Sequence, residues 1–271
     1  MKRFYRYFVM GMLLLLCTGC SGKEKAEEVK ETEKPKATSE AVEPETETAS
    51  QYFEYEIDEK EKTATIISYL DEEEESVVIP EYFEYEGEKY PVTRIEKEAF
   101  YYNLGLKHIK IPDTVKTIGK EAFCKCEALV EVEIPGTVES LGTELFYDCI
   151  SLKKITFGEG IKNLPDEIFT NCESLTEINL PSTLVSIGKE VFWSCSALES
   201  LDIPENVVMV GERCFYTSGI KELTIRSAAF NANEDMFEGM DELETLCVPE
   251  NLKESFAEYV DQEVSIRAVE E

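Results

Sequence analysis

The sequence contains few of the residues that metal-binding and nucleic-acid-binding sites require. Its 271 residues include a single histidine, His108, and outside the first 20 residues no Cys-x-x-Cys pair occurs. A zinc site is therefore not expected. Lysine and arginine number 27 against 57 aspartate and glutamate, so the net charge is -30. Because a protein that grips phosphates needs a positive field, nucleic-acid binding is excluded as an expected function.

The patterns of catalytic sites are also missing. One histidine does not allow a Ser-His-Asp or Cys-His arrangement to be built from the sequence, and no phosphate-binding glycine loop is present. Aspartate and glutamate are so numerous that a pair of them does not indicate a glycosidase site. The acidic run 71–75 lacks the spaced ligands and the glycine turn of a calcium loop. The sequence therefore predicts neither an enzyme nor a cofactor or metal site.

What the sequence does have is a period of 23 residues. Phenylalanine marks it with five spacings of 23 and a last spacing of 22, at Phe100, Phe123, Phe146, Phe169, Phe192, Phe215 and Phe237. Apolar residues follow the spacing L-x-x-L-x-L, as in Leu129-Val130-Glu131-Val132-Glu133-Ile134. A fixed period of this length with this spacing indicates a leucine-rich repeat solenoid, in which each unit adds one strand to a parallel sheet.

The consensus sequence of the repeats resembles that of a known family. The phrase I-P-x-x-V-x-x-I-G-x-x-A-F-x-x-C-x-x-L resembles the BspA-like (type 5) leucine-rich repeat proteins of bacterial cell surfaces and some parasitic protists. It covers roughly residues 77–249 and implies a right-handed, β-rich solenoid with short helical or irregular convex segments, and a binding or adhesive role. The chain departs from the phrase at Leu164-Pro165, Ser218, Arg226 and Met240.

The N-terminal segment is predicted to be a targeting signal. Lys2, Arg3 and Arg6 precede a short apolar run at 8–16. Cys17-Thr18-Gly19-Cys20 resembles a bacterial lipobox, which implies a lipoprotein signal peptide at 1–20 and a lipidated Cys20 on the extracellular face of the membrane. An ordinary cleaved secretory signal and a single uncleaved anchor are the alternatives. Residues 21–50 lack aromatic residues and hydrophobic periodicity, which predicts a disordered acidic tether.

The remaining chain divides into three parts. Alternating residues at 52–57 and 63–69 predict a hairpin, and residues 51–105 are assigned to an N-terminal β cap and an irregular first repeat with an insertion at 81–90. Residues 106–248 are assigned to the repeats. Residues 249–271 are predicted to be a C-terminal cap, with a short helix at 251–260 that begins near Asn251 as its N-cap and is followed by 264–266.

Seven of the nine cysteines lie in the repeat region. Four of them stand three residues after a phenylalanine and are predicted to form a buried ladder of free thiols: Cys126, Cys149, Cys172 and Cys195. Stacked strands lie about 4.8 Å apart, which leaves disulfides as the alternative. Cys214 is predicted to lie in the core. Cys124 and Cys247 are predicted to point outward and to be the more accessible pair.

The first candidate binding surface is the concave side of the sheet. Strand side chains alternate, so two columns are predicted to face outward. The first contains His108, Glu131, Lys154, Glu177, Ser200, Glu222 and Thr245, and the second contains Lys110, Glu133, Thr156, Asn179, Asp202, Thr224 and Cys247. Solenoids use such faces for binding. This one is polar and acidic through its middle, and an ordinary solvated sheet face is the alternative.

The second candidate surface is an aromatic ridge. Four of the residues that directly follow the phenylalanines are aromatic: Tyr101, Tyr147, Trp193 and Tyr216. Exposed aromatic rows can stack on sugar rings or anchor a protein. Packing of these rings over neighbouring repeats is the alternative, and it is the interpretation the sequence favours.

Together these patterns predict a surface-anchored, non-catalytic binding or adhesion protein. An extracellular or host protein is the expected partner and a polysaccharide the alternative. The membrane is expected to be contacted through the lipid anchor only. A structural spacer without a ligand, and an accessory polysaccharide-binding or hydrolytic surface protein, are the alternative functions.

Overall fold

A computed structural model describes residues 50–269 of the chain. The predicted signal peptide at 1–20, the lipidation of Cys20 and almost all of the tether at 21–50 lie outside the described residues. Within the described part, no helix is both long and apolar enough to cross a membrane. The buried core of this part is one cluster that runs from Phe53 to Phe256.

The N-terminal part contains five strands: β1 (Phe53–Asp58), β2 (Thr63–Tyr69), β3 (Ser76–Val78), β4 (Tyr82–Tyr85) and β5 (Glu88–Ile95). Strands β1 and β2 form the antiparallel hairpin that the alternation predicted. Strand β2 also pairs in parallel with β5. The predicted insertion at 81–90 forms a second hairpin, β4–β5. Its turn residues Glu86 and Gly87 both have positive φ, which suits the twist of a tight hairpin. The capping role assigned to this part stays a prediction.

The repeats add pairs of short strands. In chain order they are β6 (His108–Lys110), β7 (Thr117–Ile118), β8 (Glu131–Ile134), β9 (Ser140–Leu141), β10 (Lys154–Phe157), β11 (Asn163–Leu164), β12 (Glu177–Asn179), β13 (Ser186–Ile187), β14 (Ser200–Ile203), β15 (Met209–Val210), β16 (Glu222–Ile225), β17 (Thr245–Val248) and β18 (Ser265–Ala268). The longer strands pair in parallel as ladder 1, and the two-residue strands pair in parallel as ladder 2. This arrangement confirms a leucine-rich repeat solenoid with parallel sheets and little helix.

The 23-residue register holds from repeat to repeat. Lys154 pairs with Glu131 on one side and with Glu177 on the other. Gly142 shows how tightly the turns stack, because a Cβ atom there would collide with the backbone of Gly119 and Lys120. The phenylalanines from Phe100 to Phe215 form a continuous buried stack with neighbouring ring centroids 5.0 to 6.0 Å apart. Stability therefore comes from contacts between neighbouring repeats.

The predicted cysteine ladder is buried, and each thiol has a role in joining repeats. Cys126 Sγ donates a hydrogen bond to the carbonyl oxygen of Phe100 at 3.1 Å, and Cys149, Cys172 and Cys195 repeat this contact with the phenylalanine 26 residues earlier. Cys214 is buried as predicted, and Cys247 is partly exposed.

The prediction that Cys124 is accessible is wrong. Its side chain is only 3% exposed. Cys124 directly follows the buried Phe123, but the chain turns here, because the next residue, Lys125, has a φ of 61°. Alternation therefore does not decide which side chains of this segment are buried.

Each ladder is interrupted once between consecutive repeats. In ladder 2 the N–H of Gly142 donates to Ile118, and that of Gly188 donates to Leu164, both at 2.9 Å. Pro165 stands at the equivalent position between them and has no N–H to donate, and no pairing joins β9 to β11. Ladder 1 is interrupted elsewhere, between β12 and β14.

The C-terminal segment contains less helix than predicted. A 3-10 turn at Glu250–Leu252 leads into α1 (Lys253–Phe256), which is one turn long, and β18 then adds to ladder 1 beside β17. Asn251 is not the N-cap of this helix, which is a correction to the prediction. Its Nδ2 atom donates instead to the carbonyl oxygen of Ala228, 23 residues earlier, at 3.3 Å.

Candidate functional site

The predicted outward columns lie side by side on ladder 1. Strand pairing aligns His108 with Glu131, Glu131 with Lys154, and Lys154 with Glu177. The alternate residues of the same strands, such as Val132 and Ile155, are buried. Every residue of both columns is at least partly exposed. We call these two columns the strand face, which continues across the interruption onto β14, β16 and β17.

A groove of about 880 Å³ lies over the N-terminal half of the strand face. Six predicted residues line it: His108, Lys110, Glu131, Glu133, Lys154 and Thr156. Ile109, Ile111 and Val132 also line it, and their side chains are 7%, 6% and 2% exposed. The groove therefore combines charged side chains with small apolar areas, the mixture expected where a ligand is both buried and oriented.

Two acidic residues and two prolines that also line the groove lie outside the predicted columns. Glu81 comes from the insertion, Asp113 follows the proline that ends β6, and Pro112 and Pro135 close the strand ends. The repeat phrase contains the prolines, so their position could have been found from the spacing. The place of Glu81 depends on how the insertion folds, and the sequence pattern gives no signal for it.

Ion pairs reduce the acidity expected for the strand face. Lys154 Nζ lies 3.9 Å from a Glu131 carboxylate oxygen and 3.4 Å from one of Glu177. Arg226, which replaces the proline that usually ends the strand, forms a two-nitrogen contact with the Asp202 carboxylate at 2.6 to 3.0 Å. Among the described residues, Glu133 makes no ion pair. The groove therefore has an unpaired carboxylate beside a partly neutralised one.

His108 lies in the groove and is partly exposed. Its imidazole shares the groove with the ammonium groups of Lys110 and Lys154 and with the hydroxyl of Thr156. In the part of the chain that the structure describes, no cluster of three or more His, Cys, Asp or Glu is arranged to hold a metal ion. These groups supply hydrogen-bond donors and acceptors of both charges, which suits the recognition of a polar surface.

The aromatic ridge is not continuous. Tyr101 is 43% exposed, but Cys124 and Thr170, which occupy the same column, are buried. Trp193 and Tyr216 pack on each other with ring centroids 4.6 Å apart, and the Tyr216 ring covers Gly239 so closely that a Cβ atom there would lie 2.6 Å from it. The rings of the C-terminal half therefore contribute to contacts between repeats.

Comparison with known proteins identifies the repeats. The profile of the BspA type leucine rich repeat region matches six copies over residues 93–207 and 162–269. A leucine rich cell surface protein of Faecalibacterium prausnitzii has a similar structure, with a TM-score of 0.57 and 19% identity over 84% of this chain and 73% of that one. A leucine-rich repeat protein of Bacteroides ovatus has a TM-score of 0.55 and 22% identity over 72% of this chain and 54% of its own. No curated protein matches.

Proposed function

Because this chain belongs to the family of BspA-type leucine-rich repeat proteins, we propose that it is a non-catalytic binding protein of the bacterial surface that holds a protein partner on its strand face. The groove over β6, β8 and β10 carries this proposal, since its charged walls coincide with the outward columns of the repeat. A similar structure is described as a cell surface protein. Lipidation of Cys20 would place the solenoid outside the membrane.

A protein is the partner that the groove fits best. Polypeptides present charges of both signs, and the groove offers Lys110 and Lys154 beside Glu131 and Glu133. Such an arrangement favours orientation and rate of association more than affinity. Large aromatic side chains, on which sugars commonly stack, do not line this groove.

The first test is binding by the chain from Ser21 onward, which retains the whole described fold. Arrays of host and extracellular proteins and of polysaccharides are probed for saturable binding, and product release is measured on the same arrays. A saturable protein ligand without product supports the proposal. A polysaccharide ligand changes the partner class, product release overturns the non-catalytic role, and no binding favours a structural spacer.

The second test locates the site with the protein ligand found in this way. Glu131→Lys together with Glu133→Lys should weaken binding by about tenfold, because the carboxylates that face the partner are reversed. Glu127→Lys together with Glu173→Lys is the matched control, since both residues are exposed and lie outside the strand face and the groove. Affinities are measured by surface plasmon resonance at low and high salt. Equal affinity of the double variant and the wild type would remove the groove as the site.

A further inference from the structure

A second exposed surface lies at the N-terminal end of the described chain. Nine large apolar side chains of the described residues are exposed, and five of them come from this end: Tyr52, Leu70, Tyr101, Tyr102 and Leu104, with exposures of 37% to 54%. We call these five residues the N-terminal patch. They lie apart from the groove, because none of them lines it.

Hydrogen bonds join the three segments that carry the patch. The N–H of Leu70 donates to the carbonyl oxygen of Tyr52 at 2.8 Å, and the N–H of Tyr69 donates to Ala99 at 2.8 Å. Asn103 Nδ2 donates to the carbonyl oxygen of Asp71 at 3.0 Å. These bonds hold together the three backbone segments that carry the five side chains, and the rings of Tyr101 and Tyr102 stack with centroids 6.3 Å apart.

Two positions of the patch have an apolar side chain where most later repeats have a polar one. Tyr102 has a φ of 60°, and the equivalent left-handed position is polar in the next five repeats: Lys125, Asp148, Asn171, Ser194 and Thr217. A bulky aromatic side chain is disfavoured in this conformation. Leu104 stands where the next four repeats have Glu127, Ile150, Glu173 and Ser196. Because neither side chain is needed for the core, their apolar character requires another explanation than folding.

An acidic turn borders the patch. The side chain of Asp71 accepts the N–H groups of Glu73 and Glu74 at 2.9 and 3.3 Å, and the carbonyl oxygen of Glu75 accepts the N–H groups of Lys107 and His108. Gly105 allows the two segments to meet, since a Cβ atom there would collide with the carbonyl oxygen of Glu72. Three carboxylates of this turn, on residues 72–74, are exposed and make no ion pair with a described residue.

A buried hydroxyl without a partner lies beside this turn. Tyr69 is 7% exposed, and its hydroxyl has no hydrogen-bond partner among the described residues. Burial raises the pKa of Tyr69, and the carboxylates of Asp71 and Glu74 raise it further. A buried hydroxyl that remains unpaired is unfavourable, so this end of the described chain carries a polar group that its own residues do not satisfy.

We propose that the N-terminal patch and the acidic turn 71–75 form a docking surface for a cationic amphipathic peptide segment. The patch would bury the apolar side of the peptide, and Glu72, Glu73 and Glu74 would face its lysine or arginine side chains. Charge complementarity selects this occupant. An anionic lipid surface is disfavoured, because the exposed carboxylates beside the patch would repel it.

The test uses the chain from Ser21 onward and a fluorescent amphipathic peptide of lysine and leucine, with a matched peptide of glutamate and leucine. Fluorescence anisotropy should detect saturable binding of the cationic peptide only. Tyr102→Ser with Leu104→Ser should weaken it by about tenfold, because half-buried apolar area is lost. The matched control is Val208→Ser with Met209→Ser, an exposed apolar pair near β15, which should leave binding unchanged.

A second variant separates charge from shape. Glu72→Gln, Glu73→Gln and Glu74→Gln together should weaken binding about threefold to tenfold at low salt, with a smaller difference at high salt. Absence of binding, equal binding of the glutamate peptide, or equal loss in the Val208 and Met209 control would overturn the proposal. A concentration-dependent dimer that Tyr102→Ser and Leu104→Ser abolish, seen by sedimentation velocity, would assign the patch to a second copy instead.

Discussion

At the scale of single residues, a column of glutamates marks one left-handed position of the solenoid. Five consecutive repeats have a glutamate at this position, with φ values of 56° to 59°: Glu98, Glu121, Glu144, Glu167 and Glu190. Lys120 Nζ bridges Glu121 and Glu144 at 2.9 and 2.7 Å. The position of Lys120 is occupied by Thr143 and Asp166 in the next two repeats, so Glu167 lacks this bridge.

Glu167→Gln is expected to stabilise the fold at neutral pH. Burial raises the pKa of Glu167, and the neighbouring carboxylates of Glu144 and Glu190 raise it further. The folded state therefore favours the protonated form, and this glutamate costs stability as the pH rises above its ordinary pKa. The gain should be less than about 1 kcal/mol, because solvent screens a partly exposed group.

Urea denaturation of Glu167→Gln across pH provides the measurement. The gain should disappear at acidic pH, where Glu167 is protonated in both the folded and unfolded states. Glu173→Gln is the control, since Glu173 lies in an exposed turn. A gain that does not change with pH would show that ionisation of Glu167 is not its cause.

Single residues also show where the sequence predicts burial and where it does not. The inward positions of Phe123 and Cys126 follow from the period, and both are completely buried. Cys124 and Thr170 occupy the same repeat position as the four residues of the predicted aromatic ridge, yet both are buried, while Trp193 is partly exposed. In a segment of tight turns, the size of a side chain and of its neighbours decides how exposed it is. Burial in such a segment therefore does not follow the repeat period and cannot be predicted from it.

At the scale of elements, substitutions at the interruption of ladder 2 can measure how much one backbone N–H donor contributes to the stability of the fold. Gly188→Pro should destabilise the fold by roughly 3 kcal/mol. It removes the hydrogen bond from Gly188 to Leu164 and places ring atoms against Pro165 and Asp166. Pro165→Gly should change stability by less than about 1 kcal/mol, because the gain of a donor is offset by greater freedom of the unfolded chain.

Urea denaturation compares the two proline variants directly. The midpoint should fall strongly for Gly188→Pro and change little for Pro165→Gly, with the slope against urea unchanged. Equal effects of the two substitutions would show that the missing N–H is not what interrupts ladder 2.

The elements themselves could largely be predicted from the sequence. Alternation located the β1–β2 hairpin, and the period located the strands of ladder 1. The C-terminal helix was overestimated because Asn251 has two possible partners. It bonds to Ala228 of the preceding repeat rather than to the first turn of α1, and this competition depends on stacking that no local pattern contains.

At the scale of the whole molecule, charge opposes folding. The net charge is -30, and like charges repel one another more strongly in the compact state than in the unfolded chain. Raising sodium chloride from low to moderate concentration should therefore raise the Tm of the chain from Ser21 onward. A rise of about 2–4 °C corresponds to roughly 1 kcal/mol for a domain of this size.

Differential scanning calorimetry at matched pH measures this effect, with sodium sulfate avoided because it strengthens apolar burial by another route. A Tm that falls with salt would mean that the exposed ion pairs, such as those of Lys154, outweigh the general repulsion. The sequence provides the total charge, but the pairing of Lys154 and Arg226 on the strand face becomes visible only when the strands are placed in register.

The two ladder interruptions also determine how the solenoid could come apart. Ladder 2 is broken where ladder 1 still joins β8 to β10, and ladder 1 is broken where ladder 2 still joins β13 to β15. At each of these two junctions, one of the two ladders therefore still joins the neighbouring repeats through backbone hydrogen bonds. The phenylalanine stack crosses both junctions. Partial unfolding at either junction would have to break these remaining hydrogen bonds. The two halves of the solenoid are therefore expected to unfold together in one global transition rather than separately.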